Sequence, residues 1–357
     1  MKEYIAFDCH KRYTLMEREQ IKTGQRKQVR VEHCPGAIRQ CLRGREPGTP
    51  VAVEATGNWY WIADEIEQAG LEPKLVHPRK AKLMMGMINK TDKLDVHGLN
   101  RLQRNGTLPT VWIPPRELRD QREITRARMV MTAHRTRLKN RILATLSKYG
   151  WAGTEASDAF GKKARKQLNE AVKQLPAETA RVTEALLQQL DFVQDQIEDF
   201  EQRMRELVRD TPEMNQLKTL PGIGRILSAV IGLEIGVIGR FASAERYASY
   251  SGTTPRVHAS GDKIRYGRLR PDVNHYLKWA YVEAAHSVCM HRRTYPERHV
   301  SQLYERICKK KGHPKAIGAV ARHLAEASFH VLTRKEPYRD PGLKQGQSRE
   351  VSARTTS

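Results

Sequence analysis

Tyr4-Ile5-Ala6-Phe7-Asp8 is a short apolar run that ends on a carboxylate. Strand-forming residues of this kind fit a buried strand, and the acid falls at its C-terminal end. Outward from it, Arg12 to Arg18 and Lys27 to Glu32 predict a second and a third strand; in the third, Val29 and Val31 alternate with polar residues. Pro35-Gly36 breaks the chain before a short helix, Ala37 to Arg43. Pro50-Val51-Ala52-Val53 predicts a fourth, buried strand, and it too is followed by an acid, Glu54. Trp59 to Ala69 is helical and stops at Gly70; Lys74-Leu75-Val76 is a fifth strand; a helix over Asp92 to Arg104 ends before Gly106.

The resulting order, β-β-β-α-β-α-β-α over residues 1–110, is that of an α/β RNase H-like domain. If strands one and four are neighbours, Asp8 and Glu54 project side by side at one sheet edge. Asp92 and Asp95, three apart near a helix start, share a face and can reach the same point. Singly, each acid reads as a solvated residue, and Asp92 and Asp95 suit a helix N-terminus. Together, four carboxylates at one point repel and persist only when cations neutralise them. Hard oxygen donors select Mg2+, with Mn2+ as the substitute. Two such ions, about 3.5–4 Å apart, would polarise a phosphodiester.

From Pro115 to about Tyr149 the pattern is helical and strongly basic. A second helix, Glu178 to Arg209, places Leu186, Leu190, Val193, Ile197, Phe200, Met204 and Leu207 on a heptad seam. Residues 111–212 are therefore expected to form a basic helix and a coiled coil, whose seam packs on that helix or, the favoured expectation, on a second copy of the chain. Residues 213–335 predict a mainly α domain, and residues 336–357, rich in Pro, Gly, Ser and charge, a disordered tail.

Charge narrows the function. The 357 residues hold 63 Lys+Arg against 40 Asp+Glu, a net +23, which points to a polyanionic partner. No apolar stretch reaches the roughly 20 residues of a membrane span. The N-terminus lacks a secretory pattern, and five cysteines without a CxxC pair suit a reducing, cytoplasmic setting. Nucleic acid is the expected partner, and no membrane.

Two C-terminal segments fit that partner. In Leu220-Pro221-Gly222-Ile223-Gly224, Gly222 and Gly224 would let a helix-hairpin-helix turn approach a phosphate, although a plain turn between packed helices explains them equally well. In the segment from Thr253 to Arg270, Ser260 precedes Gly261 and lies among Arg256, Lys263, Arg265, Arg268 and Arg270. Those cations could hold a phosphate. A serine hydroxyl is a weak nucleophile and needs a base or a metal. His258 is the local base, and in a strand it would share Ser260's face. On chemistry alone a polar, DNA-binding loop is the plainer reading. Lys309, Lys310 and Lys311 open a basic turn, Lys309 to Lys315, that offers a further phosphate contact or, equally, a solvated face.

The Asp…Glu…Asp-x-x-Asp set, carried by Ile5 to Lys11, Val53 to Gly57 and Lys90 to Asp95, resembles the DEDD transposases of the insertion-sequence-110 type. Leu220 to Gly224, His258-Ala259-Ser260-Gly261 and Gly312 to Leu324 are similar in the C-terminal half. The resemblance covers about residues 1–335. It implies a RuvC-like first domain binding Mg2+ through Asp8, Glu54, Asp92 and Asp95. It also implies Ser260 as the nucleophile that forms a 5′-phosphoserine link to DNA. A noncoding bridge RNA would guide donor and target DNA, and dimers would assemble to a tetramer in the bacterial cytoplasm, at the nucleoid. Cys9 departs from the family's usual residue. The rival expectation is a RuvC-like nuclease or Holliday-junction resolvase that uses water as nucleophile; a binding module with a dead site is a third.

Overall fold

The computed structural model describes residues 3–86, 91–154, 156, 158–208, 211–261, 263–270 and 272–342. The chain divides into two compact units, one ending at Pro114 and the other starting at Pro115.

The first unit contains β1 (Glu3–Cys9), β2 (Tyr13–Gln20), β3 (Arg26–Glu32), α1 (Ala37–Leu42), β4 (Pro50–Glu54), α2 (Trp59–Gln68), β5 (Glu72–Val76), α3 (Pro78–Met85) and α4 (Asp92–Arg104). The sheet order is β3-β2-β1-β4-β5. The first three strands pair antiparallel, while β1 runs parallel to β4, and β4 to β5. Central strands covered on both faces read as continuous apolar runs, as β1 and β4 do. Ile5, Phe7, Val51 and Val53 pack against Ile38 and Leu42 of α1 and Ile62 and Ile66 of α2. On the opposite face Ala6 and Ala52 are small, and α4 lies over them with Val96, Leu99 and Leu102. Each fully buried side chain of this size contributes roughly 1.5–3 kcal/mol. The helix α3 was not expected: its sequence, Pro78 to Met85, is mostly charged or exposed, and only Ala81 is buried.

The second unit begins with the long helix α5 (Arg116–Lys148), then α6 (Arg165–Lys173), α7 (Ala177–Leu207), α8 (Pro212–Leu217), α9 (Arg225–Ile235) and α10 (Ala244–Tyr250). The hairpin β6 (Pro255–Ser260) and β7 (Lys263–Leu269) follows, then α11 (His275–His291), α12 (His299–Lys311) and α13 (His313–Arg334). The helices α5 and α7 run antiparallel: Arg128 pairs with Glu201, Arg135 with Gln194 and Tyr149 with Thr179. Leu190, Val193 and Ile197 of the heptad seam are buried with Leu138, Ile142 and Leu146 of α5. From Leu186 to Ile197 the seam is covered by the chain's own basic helix, one of the two expected occupants, while Leu207 at its end is 40% exposed.

The charge of α5 is also partly spent inside the chain. Glu234 of α9 is fully buried and pairs with Arg126 at 2.8 Å. Arg122, 4% exposed, donates to the carbonyls of Leu233 and Glu234 at 2.9 and 3.0 Å, closing the C-terminal end of α9. Asn274, the N-cap of α11, donates to Glu234 at 2.8 Å. A buried ion pair of this kind joins α5 to the helices on either side of the hairpin.

The C-terminal boundary moves as well. Tyr338 packs on the helical core and donates its backbone N–H to Thr219 at 2.8 Å. Asp340 accepts from the backbone of His299 at the start of α12, at 3.0 Å. One aromatic ring and one capping carboxylate therefore order residues 336–342, against the expectation of a tail from residue 336. The expected disorder of 343–357 lies outside the described residues.

Candidate functional site: a carboxylate cavity and a serine hairpin

Asp8 and Glu54 end adjacent parallel strands, and strand alternation places Asp8 on the face of Ala6 and Glu54 on that of Ala52, beneath α4. Asp92 and Asp95 lie on the first turn of α4, N-capped by the Thr91 hydroxyl, which accepts from Leu94 N–H at 3.3 Å. They precede Leu99 and Leu102 by helical spacing, so the stripe that packs on the sheet also carries the acids to its edge. All four carboxylates line one cavity of about 500 Å³, together with His10, Arg79 and Lys82.

His10 stands between two of the acids. Its Nε2 is 3.1 Å from Asp8 Oδ2 and 3.1 Å from Asp92 Oδ2. Tyr13 stacks on His10 at 4.5 Å and donates its hydroxyl to Asp92 Oδ2 at 2.9 Å. Burial, 6% exposure, raises the Asp8 carboxyl above its ordinary value; His10 opposes this, and Asp92 and Asp95 reinforce it. Burial pushes the Cys9 thiol up to about 12, which makes it a neutral wall rather than a thiolate ligand.

A second polar layer fixes α4 on β2. Glu17, 1% exposed, accepts from Asn100 at 3.1 Å and from Gln28 at 2.7 Å, and sits 3.1 Å from His97. Glu19 pairs with Arg104 at 2.5 Å and Arg26 at 3.3 Å. Buried carboxylates satisfied in this way set the register of α4, and with it the position of Asp92 and Asp95.

Oxygen donors from four acids, with one imidazole beside them and a carboxyl held above its ordinary value chiefly by burial, fit a hard divalent cation. The sign of the pH effect follows. Asp8 adds stability below the ordinary carboxylate range, where it is protonated in both states, and that contribution is lost as pH rises through its raised value. Cation binding needs the ionised form. Added Mg2+ should therefore raise the melting temperature more at neutral pH than in mild acid. The gain at neutral pH should be about 2.7 kcal/mol when the ion is at about 100 times its dissociation constant. Equal gains at both pH values, read by calorimetry, would contradict this.

Ser260 is the last residue of β6 and pairs with Lys263 across the turn, where Gly261 adopts φ 56°. A two-residue hairpin connection requires such a backbone. Strand alternation and register put His258, Lys263 and Arg265 on Ser260's face, and Arg256 joins them, since a Cβ at Gly267 would lie 3.6 Å from both Arg256 Cβ and the His258 ring; the register shifts by one residue between Pro255 and Val257, and Arg268 lies at that irregularity. Arg270 sits at the root, donating to Ser249 at 3.3 Å and pairing with Asp272 at 3.1 Å. Ser260 itself is exposed at the tip. The segment is thus an arginine-rich ribbon rather than a polar loop.

Gly222 has φ 76°, and a Cβ there would lie 2.4 Å from the Ala284 carbonyl oxygen of α11. Its missing side chain serves helix packing, while Gly224, the N-cap of α9, is exposed. Lys309, Lys310 and Lys311 are exposed in the last turn of α12, not in a turn between helices, and there they complement the helix dipole.

His10, Tyr13, Arg79 and Lys82 escaped the sequence reading. Two of them had a signal: His10 follows Asp8 by two residues, and Tyr13 opens the strand paired with it.

Comparison with known proteins covers both regions. A family model for the IS110-type DEDD transposases matches residues 18–150, which include Glu54, Asp92 and Asp95. A model described as "Transposase IS116/IS110/IS902 family" matches residues 214–301, which include Ser260. The transposase for insertion sequence element IS1111A of Coxiella burnetii is 22% identical over 292 residues, covering 81% of this chain and 79% of that protein. The transposase for insertion sequence element IS1328 of Yersinia enterocolitica is 22% identical over 289 residues, covering 80% and 84%. A pilin gene-inverting protein of Moraxella bovis is 29% identical over 149 residues, 40% of this chain and 45% of that protein. No helix among the described residues is long and apolar enough to cross a membrane. With both of its halves matched in order, the chain belongs to the IS110-type family of insertion-sequence transposases.

Proposed function

We propose that the chain cuts and rejoins DNA strands through a covalent serine ester. The observation that carries this reading is the placement of Ser260: an exposed hydroxyl at the tip of a ribbon, on one face with Arg256, His258, Lys263 and Arg265. A nuclease that uses water has no need of it.

Asp8, Glu54, Asp92 and Asp95 would hold Mg2+ or Mn2+, which when bound supplies charge stabilisation at a phosphodiester. The Ser260 hydroxyl attacks the scissile phosphorus, and the bond to the 3′ oxygen breaks. The hydroxyl proton leaves to a base, with His258 as the local imidazole, and a proton is returned to the departing 3′ oxygen. The products are a 5′-phosphoserine and a free 3′-hydroxyl. Attack by another strand's 3′-hydroxyl on the phosphoserine restores a phosphodiester and releases the serine. The ester conserves the bond energy, so rejoining needs no ATP. Arg256, Lys263 and Arg265 orient the phosphate and stabilise its developing charge.

Donor and target DNA are the substrates. A noncoding guide RNA, and a homotetramer in which the carboxylates of one protomer serve the serine of another, belong to the same reading through the family. The net charge of +23 supports a nucleic-acid partner, and the gene-inverting relative supports a reaction that reseals what it cuts.

The test is incubation of the full chain with the DNA ends of its element, the element's RNA and Mg2+, followed by denaturation in detergent. The expected result is a DNA fragment that migrates with protein until protease is added. Cleaved DNA free of protein at every time point would place water, not serine, at phosphorus.

A further inference from the structure

A second cleft, of about 580 Å³, opens at the root of the hairpin. Arg256, Arg270 and Arg322 enter it from β6, from the residue after β7 and from α13, with Ser249, Thr254, His258 and Tyr266 completing its polar and aromatic lining. No carboxylate lines it among the described residues. Arg270 and Arg322 have acidic neighbours outside the lining, Asp272 at 3.1 Å and Glu326 at 2.8 Å. Arg256 has no acidic partner among the described residues. Three guanidinium groups around one space repel, and an anion with several oxygens relieves that repulsion while accepting their hydrogen bonds. The cleft runs round the ribbon at its root, and on the face away from Ser260 its wall is the cross-strand pair Val257 and Tyr266, 57% and 68% exposed. Large exposed apolar groups ringed by arginines are the pattern of a base-stacking platform.

We infer that this cleft binds one nucleotide of a single-stranded nucleic acid, its phosphate on Arg256, Arg270 and Arg322 and its base against Tyr266. The choice of a nucleic-acid occupant rests on the strand-transfer function proposed above. Arg256 and Ser260 share a face of β6 and are four residues apart, about 13 Å at strand rise. A strand gripped at the root therefore lies along the ribbon a few nucleotides from the hydroxyl. The cleft thus gives Arg322 and Tyr266 a role in aligning the strand, apart from any chemistry at its end.

The test measures equilibrium binding of the full chain to fluorescein-labelled oligothymidylate and oligouridylate, in EDTA so that no strand is cut, over a series of salt concentrations. Arg322→Gln should weaken binding about tenfold and lower the slope of log affinity against log salt by about 0.7. Arg322→Lys should restore the slope. Tyr266→Ala should weaken binding by about fivefold or more with the slope unchanged, because stacking releases no counterions. Thermal melts would verify that each exposed-residue variant folds. A loss on both oligonucleotides, or on one alone, supports the cleft and tells which strand enters it. Unchanged affinity and slope for both variants on both oligonucleotides would overturn the inference, even if a covalent adduct forms. Conversely, altered binding would sustain it even if Ser260 proved inert.

Discussion

Ser260→Ala should abolish both the protein–DNA adduct and strand joining, with a loss of at least about 10³-fold, the scale seen when a covalent nucleophile is deleted. Alanine fits the same strand position and the side chain it replaces is exposed at a hairpin tip, so stability should change by less than about 0.5 kcal/mol. DNA binding should persist, because the neighbouring cations remain. The assay is joining of element ends, read beside a binding curve and a thermal melt. Retained cleavage at wild-type rate would assign the attack to water and leave the serine as a hydrogen-bonding residue.

Asp8→Asn should cost about 4 kcal/mol of transition-state stabilisation, or roughly 10³-fold in cleavage rate, by removing a charged oxygen from the cavity. Its effect on stability should run the other way. Burial and the nearby Asp92 and Asp95 hold the Asp8 carboxyl above its ordinary value, so ionised Asp8 opposes folding at neutral pH. A neutral amide removes that opposition, and the melting temperature should hold or rise without added cation. The Mg2+-dependent gain in melting temperature should shrink in the same variant. A stable Asp8→Asn enzyme with undiminished cleavage would remove the carboxylate cavity from the reaction. Opposite signs for activity and stability are what a residue retained for function, at a cost to the fold, should give.

The sheet and the acids were legible because their signals are local. Tyr4 to Asp8 and Pro50 to Glu54 are apolar runs ended by carboxylates, and the spacing of Asp92, Asp95, Leu99 and Leu102 shows which face of α4 meets the sheet. What escaped depends on partners distant in the chain. His10 reaches Asp92, 82 residues on, and Glu17 reaches Asn100, 83 residues on, and no periodicity encodes either contact. The arginines of α5 look free in sequence, yet Arg126 finds Glu234, 108 residues away. The charge count is therefore a poor map of which cations face solvent. The tail fails for a related reason: Tyr338 and Asp340 are two isolated side chains in a polar stretch, and only the tertiary fold supplies their partners, Thr219 and His299.

The most direct measurement maps the adduct to a residue. Trypsin cuts after Arg256 and Lys263, and the intervening peptide, Val257 to Lys263, contains a single hydroxyl-bearing residue, Ser260. Nuclease trimming of the adduct, tryptic digestion and mass spectrometry should find that peptide carrying a nucleotide through its 5′-phosphate, dependent on Mg2+ and absent in Asp8→Asn. A nucleotide on any other peptide, or cut DNA with this peptide unmodified throughout the reaction, would contradict a serine-linked exchange of strands.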